Sequence, residues 1–143
     1  MLPPGGGAYV SGIDDCLAQA MAIRGAMGAS LVDHTTGFAI GSAGRAPTDD
    51  PDATWTGTAE IVNAAATRAP FVSAHPGDRI EDIIITTLGG YHLIQQVHTR
   101  FDSRLVLYLW LDRDQGNLAM ARRRLRMLAD DLAGVAAAAA RAS

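Results

Sequence analysis

One strand limits the fold of this chain more than any other segment. Leu105, Leu107, Leu109 and Leu111 alternate with Val106, Tyr108 and Trp110, so both sides of the run are apolar. Successive strand residues point to opposite faces, and a strand apolar on both has to be covered on both. The run is about a third of the ~20 residues that a membrane helix needs. It therefore predicts a central strand with neighbours on each side and helices above and below.

The remaining segments supply those neighbours. Ile83-Ile84-Ile85-Thr86-Thr87-Leu88 and Tyr91-His92-Leu93-Ile94-Gln95-Gln96-Val97-His98 flank Gly89-Gly90, which predicts a hairpin whose turn glycines take positive φ. Ala29-Ser30-Leu31-Val32-Asp33 and Phe38-Ala39-Ile40-Gly41, joined by His34-Thr35-Thr36-Gly37, predict an earlier hairpin. Ser11-Gly12-Ile13-Asp14 resembles a capping box and precedes Ile13, Leu17 and Met21 at helical spacing, predicting a first helix that ends near Gly25. Asp50-Pro51 reads as the start of a second helix, ended by Pro70, with Trp55, Ala59, Val62, Ala65, Ala66 and Ala69 on its apolar side. Thr56, Glu60, Asn63 and Thr67 form a polar stripe on the same helix. A last helix is predicted from near Asp114 to about Val135, its buried stripe carrying Leu118, Ala121, Leu125, Leu128 and Leu132.

The order is thus αββαβββα, and a single-domain α+β fold satisfies it: one five-stranded antiparallel sheet with helices on both faces. At 143 residues the chain has room for one core. Residues 1–10, rich in Pro and Gly, read as a flexible leader, 11–135 as the domain and 136–143 as an Ala-rich tail.

Composition narrows the function. With 48% hydrophobic and 19% charged residues the chain has a globular make-up, and a formal net charge of −3 denies it the positive field of a nonspecific nucleic-acid binder. Every basic residue is Arg and Ala is abundant, as in proteins of high-GC bacterial genomes. Cys16 has no second cysteine to pair with, and the first residues lack both the basic and the apolar region of a signal peptide. The expectation is a cytoplasmic protein without membrane insertion.

No catalytic or cofactor set emerges. Without Lys there is no P-loop lysine, and no Gly-x-Gly-x-x-Gly run is present. His92 and His98 share a strand face about 20 Å apart, too far to hold one ion, and are expected to face solvent or an edge. His34 falls in a turn and His75 in a loop, neither with metal-ligand companions. Cys16 reads as packing. Asp49, Asp50 and Asp52 suit the positive end of a helix better than a metal. Arg122, Arg123, Arg124 and Arg126 could reach a phosphate, but Asp130 and Asp131 lie at helical spacing from them, so a solvated face with ion pairs is the default. No cofactor and no enzymatic activity are expected.

The element order and three motifs together resemble the Roadblock/LC7 family over about Ile13 to Leu132. Gly28-Ala29-Ser30-Leu31-Val32-Asp33, followed by Thr36-Gly37 and Phe38-Ala39-Ile40-Gly41, is similar to the family's glycine-alanine strand, aspartate, turn glycine and second strand. Ile83 to Gln95 is similar to its middle hairpin. Leu109-Trp110-Leu111-Asp112 with Asn117-Leu118-Ala119-Met120-Ala121-Arg122 is similar to its last strand and helix. Where the family commonly has a Leu-Pro-Gly-Val-like turn, this chain departs with Ile23-Arg24-Gly25-Ala26-Met27.

The resemblance implies a homodimer in which third strands pair across a two-fold axis and second helices lie side by side. In bacterial relatives a Ras-like small GTPase docks on that helix side; some accelerate hydrolysis, others act as scaffolds, and actinobacterial relatives sit beside sensor-kinase-like proteins. Carried onto this sequence, the dimer interface would hold Ile83, Ile84, Ile85, Thr86, Thr87, Trp55 and Ala59, and the partner face Thr56, Glu60, Asn63 and Thr67. An apolar third strand left as a free edge would invite aggregation, which is an independent reason to expect pairing. The rival reading is a small-molecule sensor of profilin-like or GAF-like architecture, against which stands the lack of polar residues aimed at one cavity.

Overall fold

The computed structural model describes the backbone of residues 4–67, 70–98 and 104–142 and the side chains of residues 12–66, 70–98 and 104–134. Its elements run α1 (Pro4–Met21), β1 (Ala26–Asp33), β2 (Phe38–Gly44), α2 (Pro51–Thr67), β3 (Asp82–Thr86), β4 (Gly90–Val97), β5 (Leu105–Asp112) and α3 (Leu118–Ala142). The strands form one five-stranded sheet in the order β2-β1-β5-β4-β3, antiparallel throughout. The doubly apolar strand β5 is central, as its pattern requires.

Alternation along β5 divides the core in two. Leu105, Leu107, Leu109 and Leu111 face α1 and α3, meeting Ile13, Leu17, Leu125, Leu128 and Leu132. Val106 and Tyr108 face the other way, in a smaller cluster with Trp55 and Val62 of α2. The sheet thus carries α1 and α3 on one face and α2 on the other.

Three boundaries differ from expectation, each for a local reason. Helix α1 begins at Pro4 and takes in most of the expected flexible leader. Proline is pre-set for a first helical turn, which offsets the poor propensity of Gly5, Gly6 and Gly7. At the other end α3 starts at Leu118 rather than near Asp114, because Asp112 first closes a turn. Its carboxylate accepts from the Gln115 N–H at 2.8 Å and its carbonyl from the Gly116 N–H at 3.0 Å, after which Asn117 caps the helix through the Met120 N–H at 3.0 Å. The helix then continues to Ala142, through the stretch expected to be a separate tail, since Ala has the highest helix propensity.

The glycines of the 89–90 turn do not take positive φ. Gly90 is required for a different reason: a Cβ there would lie 2.7 Å from the Leu111 carbonyl oxygen. Gly37, in the first hairpin, does take positive φ, at 79°, and Asp33 braces that turn by accepting from the Thr35 N–H at 2.9 Å.

Candidate functional site

Strand β3 forms one edge of the sheet, with β4 on one side and, among the described residues, no strand of the same chain on the other. Ile83 and Ile85 pack toward the α2 side and Ile84 toward the α1/α3 core; all three are half-buried, whereas Thr86 and Thr87 are exposed. The start of the strand is clamped from α3. Arg122 makes a two-pronged ion pair with Asp82, Nε at 2.5 Å and Nη2 at 3.2 Å, and Arg126 lies 3.8 Å from Glu81. Arg126, expected to pair along its own helix with Asp130, thus lies against Glu81 instead, and Arg124, spaced for Asp131, donates to Gln19 of α1 at 2.6 Å. Tertiary partners closer than a helical neighbour decide the matter.

Helix α2 presents two different faces. Trp55 and Ala59, expected at a dimer seam, are already buried within this chain, Trp55 meeting Tyr108 edge-on with ring centroids 5.6 Å apart. Thr58 joins the buried side because its hydroxyl donates to the Thr54 carbonyl at 2.7 Å, while Ala66 is exposed and Ala69 lies outside the described residues. Of the polar stripe, Thr56 and Glu60 are exposed and the side chain of Thr67 lies outside the described residues. Asn63, half-buried, is engaged within the chain. Its amide donates to the His34 carbonyl at 2.8 Å, and its oxygen lies 2.9 Å from His34 Nδ1, which must donate because an amide oxygen only accepts. The outward side of α2 also carries Gly57, Ile61 and Ala64, spaced so that a second helix could approach closely.

His92 is not a solvent-facing or edge histidine. Strand β4 is internal, and the register pairs His92 with Trp110 of β5, so its ring stacks on that indole with an interplanar angle of 5°. Nδ1 lies 2.7 Å from the Tyr108 hydroxyl, and burial holds its pKa below the ordinary histidine value. Arg45 covers Trp110 at 5.7 Å, a cation–π contact. Trp55, Tyr108, His92 and Trp110 form a continuous aromatic row across the α2 side of the sheet, with Arg45 at its end. Alternation placed Tyr108 and Trp110 together; the strand register that brings in His92 could not be read from one strand.

Chemistry of the remaining candidates is limited. Among the described residues no group of three or more His, Cys, Asp or Glu side chains is placed to hold a metal. Cys16 is buried, and burial pushes its thiol up to about 11, far from a nucleophile at neutral pH. Asp50 stands at the start of α2, accepting from the Ala53 N–H at 3.4 Å. What the arrangement offers is surface: the β3 edge and, on the same side of the sheet, a helix packed over β1 and β2 with exposed small and polar residues.

No protein-family model and no curated protein matches the chain. Solved structures do. MglB in a tetrameric arrangement matches with a TM-score of 0.72 and 20% identity over 92% of each chain. Myxococcus xanthus MglB matches with a TM-score of 0.69 and 19% identity, covering 97% of this chain and 95% of that one. A Roadblock/LC7 domain from Streptomyces avermitilis matches as well, with a TM-score of 0.63 and 14% identity over 83% of this chain and 92% of that one. The chain has the Roadblock/LC7 fold. In this framework β3 is a free edge among the described residues, and α2 is the helix on the side of the sheet to which Ile83 and Ile85 turn.

Proposed function

We propose that this chain is a non-catalytic, homodimeric regulator or scaffold of a Ras-like small GTPase in bacterial signalling, acting in the cytoplasm. The observation that carries the reading is the β3 edge, unpaired among the described residues, where Ile83 and Ile85 are half-buried on the same side as helix α2. Pairing β3 with its symmetry copy satisfies the edge backbone and brings two α2 helices side by side, with Gly57, Ile61 and Ala64 between them. Thr56 and Glu60 then face outward from the helical platform, where the GTPase docks. The likeness to MglB, which has been solved in a tetrameric arrangement, supports self-association.

Two measurements test this. Sedimentation equilibrium is expected to give twice the chain mass of 15.0 kDa, and Ile85→Asp, a charge placed at the seam, is expected to return the monomer with its fold intact by circular dichroism. Co-purification with a Ras-like GTPase encoded beside this gene, in each nucleotide state, is expected to succeed for the parent chain and to weaken for Glu60→Ala. A monomeric parent chain, or a GTPase retained equally by Ile85→Asp and Glu60→Ala, defeats the proposal.

A further inference from the structure

A groove opens between the C-terminal end of α1 and the N-terminal end of α3, on the side of the sheet opposite α2 and so away from the proposed dimer and GTPase faces. Its volume is about 500 Å³, and among the described residues no Asp or Glu lines it. Ala22, Ile23 and Met120 supply apolar surface, with Met120 70% exposed on a helix whose other large apolar side chains are mostly buried. Arg24 and Arg124 supply positive charge.

Arg124 is held in position. Gln19 donates its amide N–H to Asp15 at 2.8 Å, which turns its oxygen toward the groove, where it accepts from Arg124 Nη2 at 2.6 Å. A guanidinium has five N–H donors, so this contact orients it and leaves others for a ligand. Arg24, by contrast, is exposed. A chain with a formal net charge of −3 thus concentrates two cations beside a patch of uncovered apolar surface.

We propose that this groove is a second docking site, one that takes an acidic segment of a partner protein, its carboxylate on Arg24 and Arg124 and a neighbouring large apolar side chain against Ile23 and Met120. The charge of the groove selects the carboxylate, since the planar guanidinium matches a carboxylate in both charge and geometry. Its half-open form selects a chain segment over a free small anion, because pockets for small ligands enclose most of the ligand surface. The site makes the protein an adaptor: one side for self-association and a GTPase, the other for an acidic partner.

The test is selection from a random short-peptide library on the immobilised full-length chain, followed by fluorescence anisotropy with the enriched peptides. Enriched sequences are expected to place Asp or Glu next to Leu, Met or Phe. Arg24→Glu and Arg124→Glu are expected to weaken them about tenfold each, Met120→Ser to weaken them less, and Arg123→Glu, exposed and outside the groove lining, to leave them unchanged. Arg24 and Met120 are exposed, so their variants should melt like the parent and keep the test valid if Arg124→Glu does not fold. Enrichment of neutral or basic peptides, no enrichment at all, or binding indifferent to both arginine reversals overturns the proposal. So does displacement of the peptide by equimolar N-acetylglutamate or inorganic phosphate, which would make the groove a site for free anions.

Discussion

Replacing Asn63 by Ala separates two roles that the sequence alone could not distinguish. A partner-facing asparagine can be removed at no cost to the fold; a tether cannot. Asn63 exchanges two hydrogen bonds with His34, at 2.8 and 2.9 Å, tying α2 to the turn that follows β1. Each neutral hydrogen bond contributes about 1 kcal/mol net, so losing both should cost about 2 kcal/mol. With a urea dependence of about 2 kcal/mol per molar for a domain of this size, the unfolding midpoint should fall by about 1 M. Glu60→Ala, an exposed substitution on the same helix, should stay within about 0.5 kcal/mol of the parent. The assay is urea unfolding followed by circular dichroism at one protein concentration, which keeps any dimer contribution constant. A His34→Ala variant removes the ring partner and keeps the backbone carbonyl, so in a double-mutant cycle the coupling should account for about half the loss. If Asn63→Ala unfolds at the parent's midpoint, or if the cycle shows no coupling, the tether is not holding α2 and the reasoning fails.

Other outcomes follow from packing and charge. The folded-state pKa values of His92 and His98 are both lowered by burial from 6.5, so near and below that pH the unfolded chain binds more protons than the folded one. Stability should be fully present above about 6.5 and be lost as the pH falls through the lower folded values; urea midpoints across that range should show the loss, and His92→Gln should reduce it. Leu107→Ala empties a fully buried site at the centre of the larger core and should cost about 2–5 kcal/mol by thermal or chemical unfolding. Gly28→Ala would set a Cβ 1.8 Å from the Arg45 carbonyl oxygen, a backbone atom that cannot step aside alone, and should destabilise the chain by about 1–3 kcal/mol. A Gly28→Ala variant as stable as the parent would show that the close approach of β1 to the end of β2 is not maintained in solution.

The framework was legible because the strands carry their burial in their spelling. Leu105 to Leu111 announces a central strand without help from any neighbour, and Trp55, Ala59 and Val62 mark the inner side of α2. The parts that were not legible depend on pairing or on competition between polar groups. Arg126 has Asp130 one turn away yet sits against Glu81, because β3 brings its start under α3. Asn63 lies in a polar stripe that periodicity can draw but not interpret, since only the folded hairpin brings His34 to it. The Gly89-Gly90 pair shows the same limit: the turn was identifiable, but the need for Gly90 comes from Leu111 on a strand that follows much later. Of the candidate site, the strand edge was readable from Ile83 to Ile85, whereas the Arg24 and Arg124 groove was not, because it exists only where two helix ends meet.

The clamp of Arg122 on Asp82 has a consequence for assembly. Hydrophobic repeats such as three consecutive isoleucines tolerate sliding, because a ladder displaced by two residues still puts like against like. Pinning the first residue of the ribbon to a rigid rod keeps that end from fraying, so that in the proposed dimer a second copy would meet a strand of fixed length. Neutralising the pin, by Arg122→Gln for example, should therefore blur the alignment of the seam more than it weakens the subunit itself.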